Sequence, residues 1–334
     1  MLDHRLTVLC LCLLAVPAWS QNEPPPPVAE GEKILVVGQR PGPGLWKVTK
    51  DDHVLWIFGT YSPLPKKMTW RSAQVEKIIA QSQEFLGSPS AGIGVGWANS
   101  FNIVTALPFV IGFKKNADGA HLKDVVPADV YARWTVLKAK YIGDDSGIES
   151  ERPIFAAGAL FDKALDKSAL GSDREVQEQI KKISRQNKIK FTATGFSMQL
   201  ENPRGALRDF KKSSLDDLAC FTKTIDRLET DLEAMRVRAN AWAVGDVEVM
   251  RKLTYPDQVE ACNSAVFNSA WMIKTLPAAG AIEQRLRDSW VAAAEKALAT
   301  NQSTFAVLPV AQILNPNGMV AALQAKGYQV EQPD

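Results

Sequence analysis

Apolar positions along this chain fall into two arrangements, dense short runs and helically spaced seams. The runs at residues 54–58 and 304–308 are rich in β-formers and too short for helices, so each predicts a buried strand. In the first, Val54-Leu55-Trp56-Ile57-Phe58 is ended by Gly59, and Pro63 and Pro65 keep the backbone from rejoining the sheet. The second, Thr304-Phe305-Ala306-Val307-Leu308, runs into Pro309. Residues 45–49 pair with the first run as a hairpin whose turn is Lys50-Asp51-Asp52-His53. Further short strands are expected at residues 34–37, 84–87, 189–194 and 328–330.

Helical spacing begins with Val75, Ile78 and Ile79, capped by Ser72. Residues 122–126 lead into a helix opening at Pro127, where proline suits the first turn. Helices at 153–165 (largely apolar), 175–186 and 282–300 (both amphipathic) follow. Asn315-Pro316-Asn317-Gly318 then turns into a helix through Lys326, closed by Gly327. The longest seam comprises Leu218, Phe221, Ile225, Leu228, Leu232, Met235 and Trp242. Its spacing alternates by three and four before a step of one heptad. It predicts one long helix, closed by Gly245 and packed against another helix of the same domain. Gly92-Ile93-Gly94-Val95-Gly96 has Trp97 where a phosphate loop needs its third spaced glycine, so it predicts a flexible loop. The fold class is α/β: a central β-sheet wrapped by helices, with a large helical insertion at about 127–277. No internal repeat has solenoid spacing.

The amino end changes the picture. Arg5, an apolar stretch over residues 6–16 and Ala18-Trp19-Ser20 predict a signal peptide over residues 1–20. Neither Cys10 nor Cys12 follows the small residue that a lipidated cysteine requires. Residues 21–43, with Pro24-Pro25-Pro26-Pro27, read as a stiff proline-rich leader. Residues 44–334 form the single domain. No segment of it is long and apolar enough for a permanent membrane span, so the expected location is periplasmic or secreted. Cys220 and Cys262 then remain as one pair in an oxidising compartment, which favours a disulfide over free thiols. Neither has a neighbouring Cys or His at zinc-ligand spacing.

The 334 residues carry a net charge of only +2 from nearly balanced acids and bases, so nucleic acid is not an expected partner. The polar pair Tyr61 and Ser62 follows a buried strand, where α/β folds place binding crevices.

Two strands that each exit into a short polar turn, near opposite ends of a helix-rich chain, resemble the TraB/GumN family, related to the Tiki proteases. Leu45-Trp46-Lys47-Val48, with Gly59-Thr60 closing the next strand, is similar to the family's "LWKV…LLGTIH", and Pro63-Leu64-Pro65 continues it. Residues 122–134 resemble its "L-x-x-L-x-P-x-x-Y-x-R" entry. Trp242-Ala243-Val244-Gly245-Asp246 resembles its "W-x-x-G-D", and residues 305–330 resemble its closing segment. The likeness spans about residues 45–330.

The resemblance implies a divalent metal held by the histidines of two Gly-x-x-His motifs, with acids after nearby strands. Imidazoles at adjacent strand ends can share an ion, and a carboxylate can complete the site. Here Ser62 and Gln312 hold the histidine positions, Ser88 stands for one acid, and the stretch near Ala193-Thr194 lacks the other. Neutral Ser and Gln are weak ligands for such an ion. His53, in the hairpin turn, and His121, before a helix, are the histidines left after export. Neither reads as a ligand.

No catalytic residue, metal or cofactor is therefore expected. The expected site is a crevice of Gly59, Tyr61, Ser62, Ser88 and Gln312, suited to a small polar ligand or peptide backbone. The expected function is an exported binding or accessory module that has lost metal-dependent hydrolysis, in cell-envelope or exopolysaccharide biology as the family name implies. Two alternatives stand beside it: a metal-dependent hydrolase with a rearranged site, and a protein–protein interaction module.

Overall fold

The computed structural model describes residues 42–94, 110–252 and 258–333. The expected signal peptide, most of the proline-rich leader, the strand at 34–37 and the end of the glycine run lie outside the described residues.

The chain opens with β1 (Leu45–Lys50) and β2 (His53–Thr60), an antiparallel pair joined by Asp51-Asp52. Asp51 takes φ 53°, a left-handed conformation that aspartate tolerates in tight hairpins. The expectation that Gly59 ends the strand is corrected: β2 continues through Gly59 and Thr60. Glycine is needed there for another reason, because a Cβ would lie 2.6 Å from Trp46 and 2.7 Å from Val310. Leu64–Pro65 is a two-residue strand, β3, outside the central sheet. Next come α1 (Ala73–Gln81), which buries Val75, Ile78 and Ile79, then β4 (Glu84–Leu86) and β5 (Ala91–Gly94).

The middle of the chain holds α2 (Leu122–Val125), α3 (Ala128–Tyr141), α4 (Pro153–Lys167), β6 (Leu170–Gly171), α5 (Arg174–Gln186), β7 (Lys190–Thr192), β8 (Phe196–Gln199) and α6 (Pro203–Lys212). It continues with α7 (Leu218–Thr230), α8 (Leu232–Val244), α9 (Val247–Lys252), α10 (Gln258–Phe267) and α11 (Ala270–Thr275). The chain closes with α12 (Ile282–Thr300), β9 (Ser303–Pro309), α13 (Val310–Leu314), α14 (Met319–Ala325) and β10 (Gln329–Glu331).

Among the described residues the central sheet runs β10-β1-β2-β9-β4-β7. β1 is antiparallel to β10 and β2, while β2, β9, β4 and β7 are mutually parallel. The two apolar runs are thus direct neighbours, with Val54 opposite Ser303 and Thr60 opposite Pro309. Helices cover the sheet, and Phe58, Trp242, Trp290 and Phe305 are fully buried in its core. A second core joins α3, α4 and α7 around Trp134, Leu160 and Phe221.

Three details depart from the sequence pattern. The glycine run begins as β5, paired in parallel with β8, a strand the pattern did not show. Backbone pairing there replaces the side-chain packing that glycines lack. Residues 127–277 are mostly helical but include three short strands: β6 pairs with β3, and β7 is an edge of the central sheet. The single long helix is in fact two, broken at Asp231 (φ −110°, ψ −5°). Phe221, Ile225 and Leu228 face the helical core, whereas Ala239 and Trp242 face the sheet core. One straight apolar stripe cannot address both.

Cys220 on α7 and Cys262 on α10 are bonded, closing a span of 42 residues. Glu84 is the polar knot at the amino edge of the sheet. It accepts from Thr192, Lys190 (3.0 Å) and the Asn301 amide (2.7 Å). Burial pushes its carboxyl up, but those hydrogen bonds outweigh burial and hold it below the ordinary glutamate value.

Reducing the disulfide, or replacing both cysteines with serine, should lower unfolding free energy by about 2–4 kcal/mol, read from urea midpoints. Because the Glu84 pKa is lowered on folding, its stabilisation is fully present above the unfolded value and lost as pH falls through the folded one. Glu84→Gln should therefore flatten the acid limb of stability against pH. An unchanged acid limb would remove Glu84 as its source.

Candidate functional site at the carboxyl edge of the sheet

Parallel strands end on the same side, so β2, β9, β4 and β7 bring four exits to one edge of the sheet. Thr60 opposite Pro309, Leu86 opposite Ala306 and Leu86 opposite Thr192 fix the stagger. Beyond these ends come Tyr61-Ser62, Val310-Ala311-Gln312, Gly87-Ser88 and Ala193-Thr194.

The five predicted site residues share this edge but not one environment. Gly59 is buried, and its carbonyl accepts from Trp242 Nε1 at 2.7 Å. Ser62 and Gln312 are exposed, the latter in the first turn of α13. Ser88 is half-buried and donates its hydroxyl to the Val307 carbonyl at 3.3 Å. Thr194, fully buried, donates to the Gly87 carbonyl at 2.8 Å. Its own carbonyl accepts from Ser289 Oγ at 2.7 Å.

Tyr61 is turned inward, only 6% exposed, against a charged cluster absent from the sequence reading. Arg238 grips Asp231 with two hydrogen bonds, 3.0 and 2.8 Å, and bonds the Tyr61 side chain. Arg227 lies 3.5 Å from the same carboxylate, donates to Gln258 at 2.9 Å and sits over the Phe161 ring at 4.9 Å. Burial raises the Tyr61 phenol above its ordinary value, against the pull of Arg238 and Arg227, and its oxygen accepts from the Arg238 guanidinium. The seam position in the heptad gap between Met235 and Trp242 is the small, buried Ala239. Arg238, one position before it, is itself buried, and a cation on a buried face requires a partner.

The histidines lie elsewhere. His53 is at the other end of β2, its Nδ1 2.8 Å from the Asn301 carbonyl. Exposed His121 precedes α2. Among the described residues no group of three or more His, Cys, Asp or Glu is placed to hold a metal ion. No helix among them is long and apolar enough to cross a membrane.

A family model described as TraB/PrgY/gumN matches residues 44–332, nearly all of the described chain. The chain belongs to the TraB/PrgY/gumN family. Neither the curated proteins nor the solved structures gave a match. In this TraB/PrgY/gumN protein the segments that carried the resemblance touch one another. Trp242 of the Trp-x-x-Gly-Asp segment bonds Gly59 of the first strand and packs edge-on against Phe58 at 6.1 Å. Gly245 takes φ 73°, with space for no Cβ because the Gly42 carbonyl would lie 2.5 Å away. Asp246 then accepts from the Val249 amide at 3.0 Å, starting α9.

Removing one partner of a buried ion pair leaves an uncompensated charge. Asp231→Ala should destabilise by about 3–5 kcal/mol, against less than about 1 kcal/mol for Glu233→Ala in its exposed pair with Arg236. Urea unfolding of both variants measures the contrast.

Proposed function

We propose that this TraB/PrgY/gumN-family protein is an exported binding module that takes an uncharged polar ligand at the carboxyl edge of its sheet without metal-dependent hydrolysis. The observation that carries this is the chemistry of the donors at the four strand ends. They are the hydroxyls of Ser62, Ser88 and Thr194 and the carboxamide of Gln312. None supplies an imidazole nitrogen or a negative charge, so the set does not fit a catalytic divalent ion.

Neutral hydroxyl and amide groups instead suit hydrogen bonding to carbonyls, amides or hydroxyls of a ligand. Export is supported by the amino-terminal sequence pattern and by the Cys220–Cys262 bond, which belongs to an oxidising compartment. A role in envelope or exopolysaccharide biology rests on the family name alone.

Metal stoichiometry and thermal shift with zinc, manganese or cobalt test the proposal. The oxidised protein should bind no stoichiometric metal and show no shift. Ser62→His combined with Gln312→His, both at exposed positions beyond paired strand ends, should gain metal and a raised Tm. Tight binding of one metal by the unsubstituted chain would overturn the proposal in favour of a working metal-dependent hydrolase.

A further inference from the structure

The packing of α10 gives the Cys220–Cys262 bond a task beyond stapling. Among the described residues of α10, Ala265 alone is buried, and Val259 is 56% exposed. The helix it lies against, α7, buries Cys220, Phe221, Thr224, Ile225 and Leu228. Open space adjoins α10 on two sides. A cavity of about 440 Å³ is lined by Ala219 of α7 and by Ala261 and Ala265 of α10. Another of about 370 Å³ is lined by Glu260, Asn263 and Phe267 of α10 and by Gln284 and Arg287 of α12. A helix with so little buried apolar surface has little to hold it once its covalent tie is cut. The two sulfurs differ in access. Cys220 is 1% exposed and Cys262 is half-buried, so attack falls on Cys262.

The same helix is connected to the sheet edge. Gln258 opens α10 one turn before Cys262, with Nε2 3.5 Å from Cys262 Sγ and donating to Thr224 Oγ1 at 3.1 Å. Its Oε1 accepts from Arg227 Nη1 at 2.9 Å. From Arg227 the contacts pass to Asp231 at 3.5 Å, from Asp231 to Arg238 at 2.8 Å, and from Arg238 to the Tyr61 side chain. Tyr61 directly precedes Ser62 at the exit of β2. Gln258 thus gives Arg227 an acceptor of its own, where the one carboxylate is shared with Arg238. Without Gln258, a long cationic side chain relieves its burial by turning toward water.

We infer that the Cys220–Cys262 bond is a redox switch that sets the position of α10 and, through Gln258 and Arg227, the order of the β2 exit. A dithiol attacks Cys262 Sγ, and Cys220 leaves as a thiolate and takes up a proton. The second thiol then displaces Cys262. Two electrons and two protons pass to the protein, and the dithiol ends as a disulfide. With the bond open, α10 moves off α7 and Arg227 loses its Gln258 acceptor. Asp231, Arg238 and Tyr61 lose the neighbour that fixes them, and the Tyr61-Ser62 turn loosens. This regulates the sheet-edge site and rests on the binding proposed there only for its consequence. The test reads backbone order and stands even if that edge binds nothing.

Amide hydrogen exchange, resolved by peptide and read by mass spectrometry, compares the full chain oxidised and after reduction by a water-soluble phosphine. Appearance of the Cys220 and Cys262 thiols confirms the reduction. Exchange should quicken over residues 258–267. At residues 59–62 and 232–238 it should quicken about tenfold, the effect of one lost charged hydrogen bond. Residues 282–298 and 304–308 should keep their protection. Gln258→Ala in the oxidised protein keeps the covalent tie and removes the link. It should quicken 59–62 and 232–238 by the same factor while 262–267 stay protected, and reducing it should add nothing at 59–62. Reduction that leaves 59–62 unchanged, or that speeds exchange everywhere alike, would overturn the inference, as would native exchange at 59–62 in the Gln258→Ala protein.

Discussion

The in-register parallel pairing of β2 with β9 is the constraint on which the rest of this structure depends. It joins strands from opposite ends of the chain, so nearly every other element lies within the crossover between them. Both strands are central and covered, which is why their sequences are almost continuously apolar rather than alternating. Leu55, Ile57, Phe58, Phe305, Ala306 and Leu308 have essentially no exposure. A slip of one residue would turn every one of these side chains over. It would also carry Tyr61 away from Arg238, and Gly59 from the narrow space between Trp46 and Val310.

A second dependence runs through Asp231. The chain leaves the helical core on α7 and enters the sheet core on α8, and the break between them is where the carboxylate sits. Desolvating two guanidiniums and a carboxylate offsets most of their attraction, so the apolar contacts of Phe221 and Trp242 supply the stability. The service of the ion cluster is geometric. It ties the end of one helix to the second turn of the next, and both to the exit of β2 through Tyr61.

At the carboxyl edge the strand exits carry neutral polar side chains. The Ser88 and Thr194 hydroxyls give their protons to main-chain carbonyls of neighbouring strands, closing gaps where the parallel ladder stops. Each keeps acceptor capacity on its oxygen. Ser62 and Gln312 remain exposed at the ends of the two adjoining strands. The edge is thus hydrogen-bonded below and polar above.

The α/β class, the family, the hairpin, the two buried strands, the terminal helices and the cysteine pair were all legible in the residues. Each follows from local pattern: dense β-forming runs, helical spacing, a Gly or Pro at a boundary, two cysteines left together. That Ser62 and Gln312 close the turns after the two buried strands was equally plain, because those positions are counted along the chain. Tertiary structure alone decided that the long apolar seam breaks at Asp231, since periodicity records which face is apolar and not which of two cores it meets. It alone paired β5 with β8, because glycine-rich strands carry no side-chain signal for their partner. It alone turned Tyr61 inward onto Arg238 while leaving Ser62 exposed. Those outcomes depend on contacts between residues far apart in sequence, whose geometry no local pattern contains.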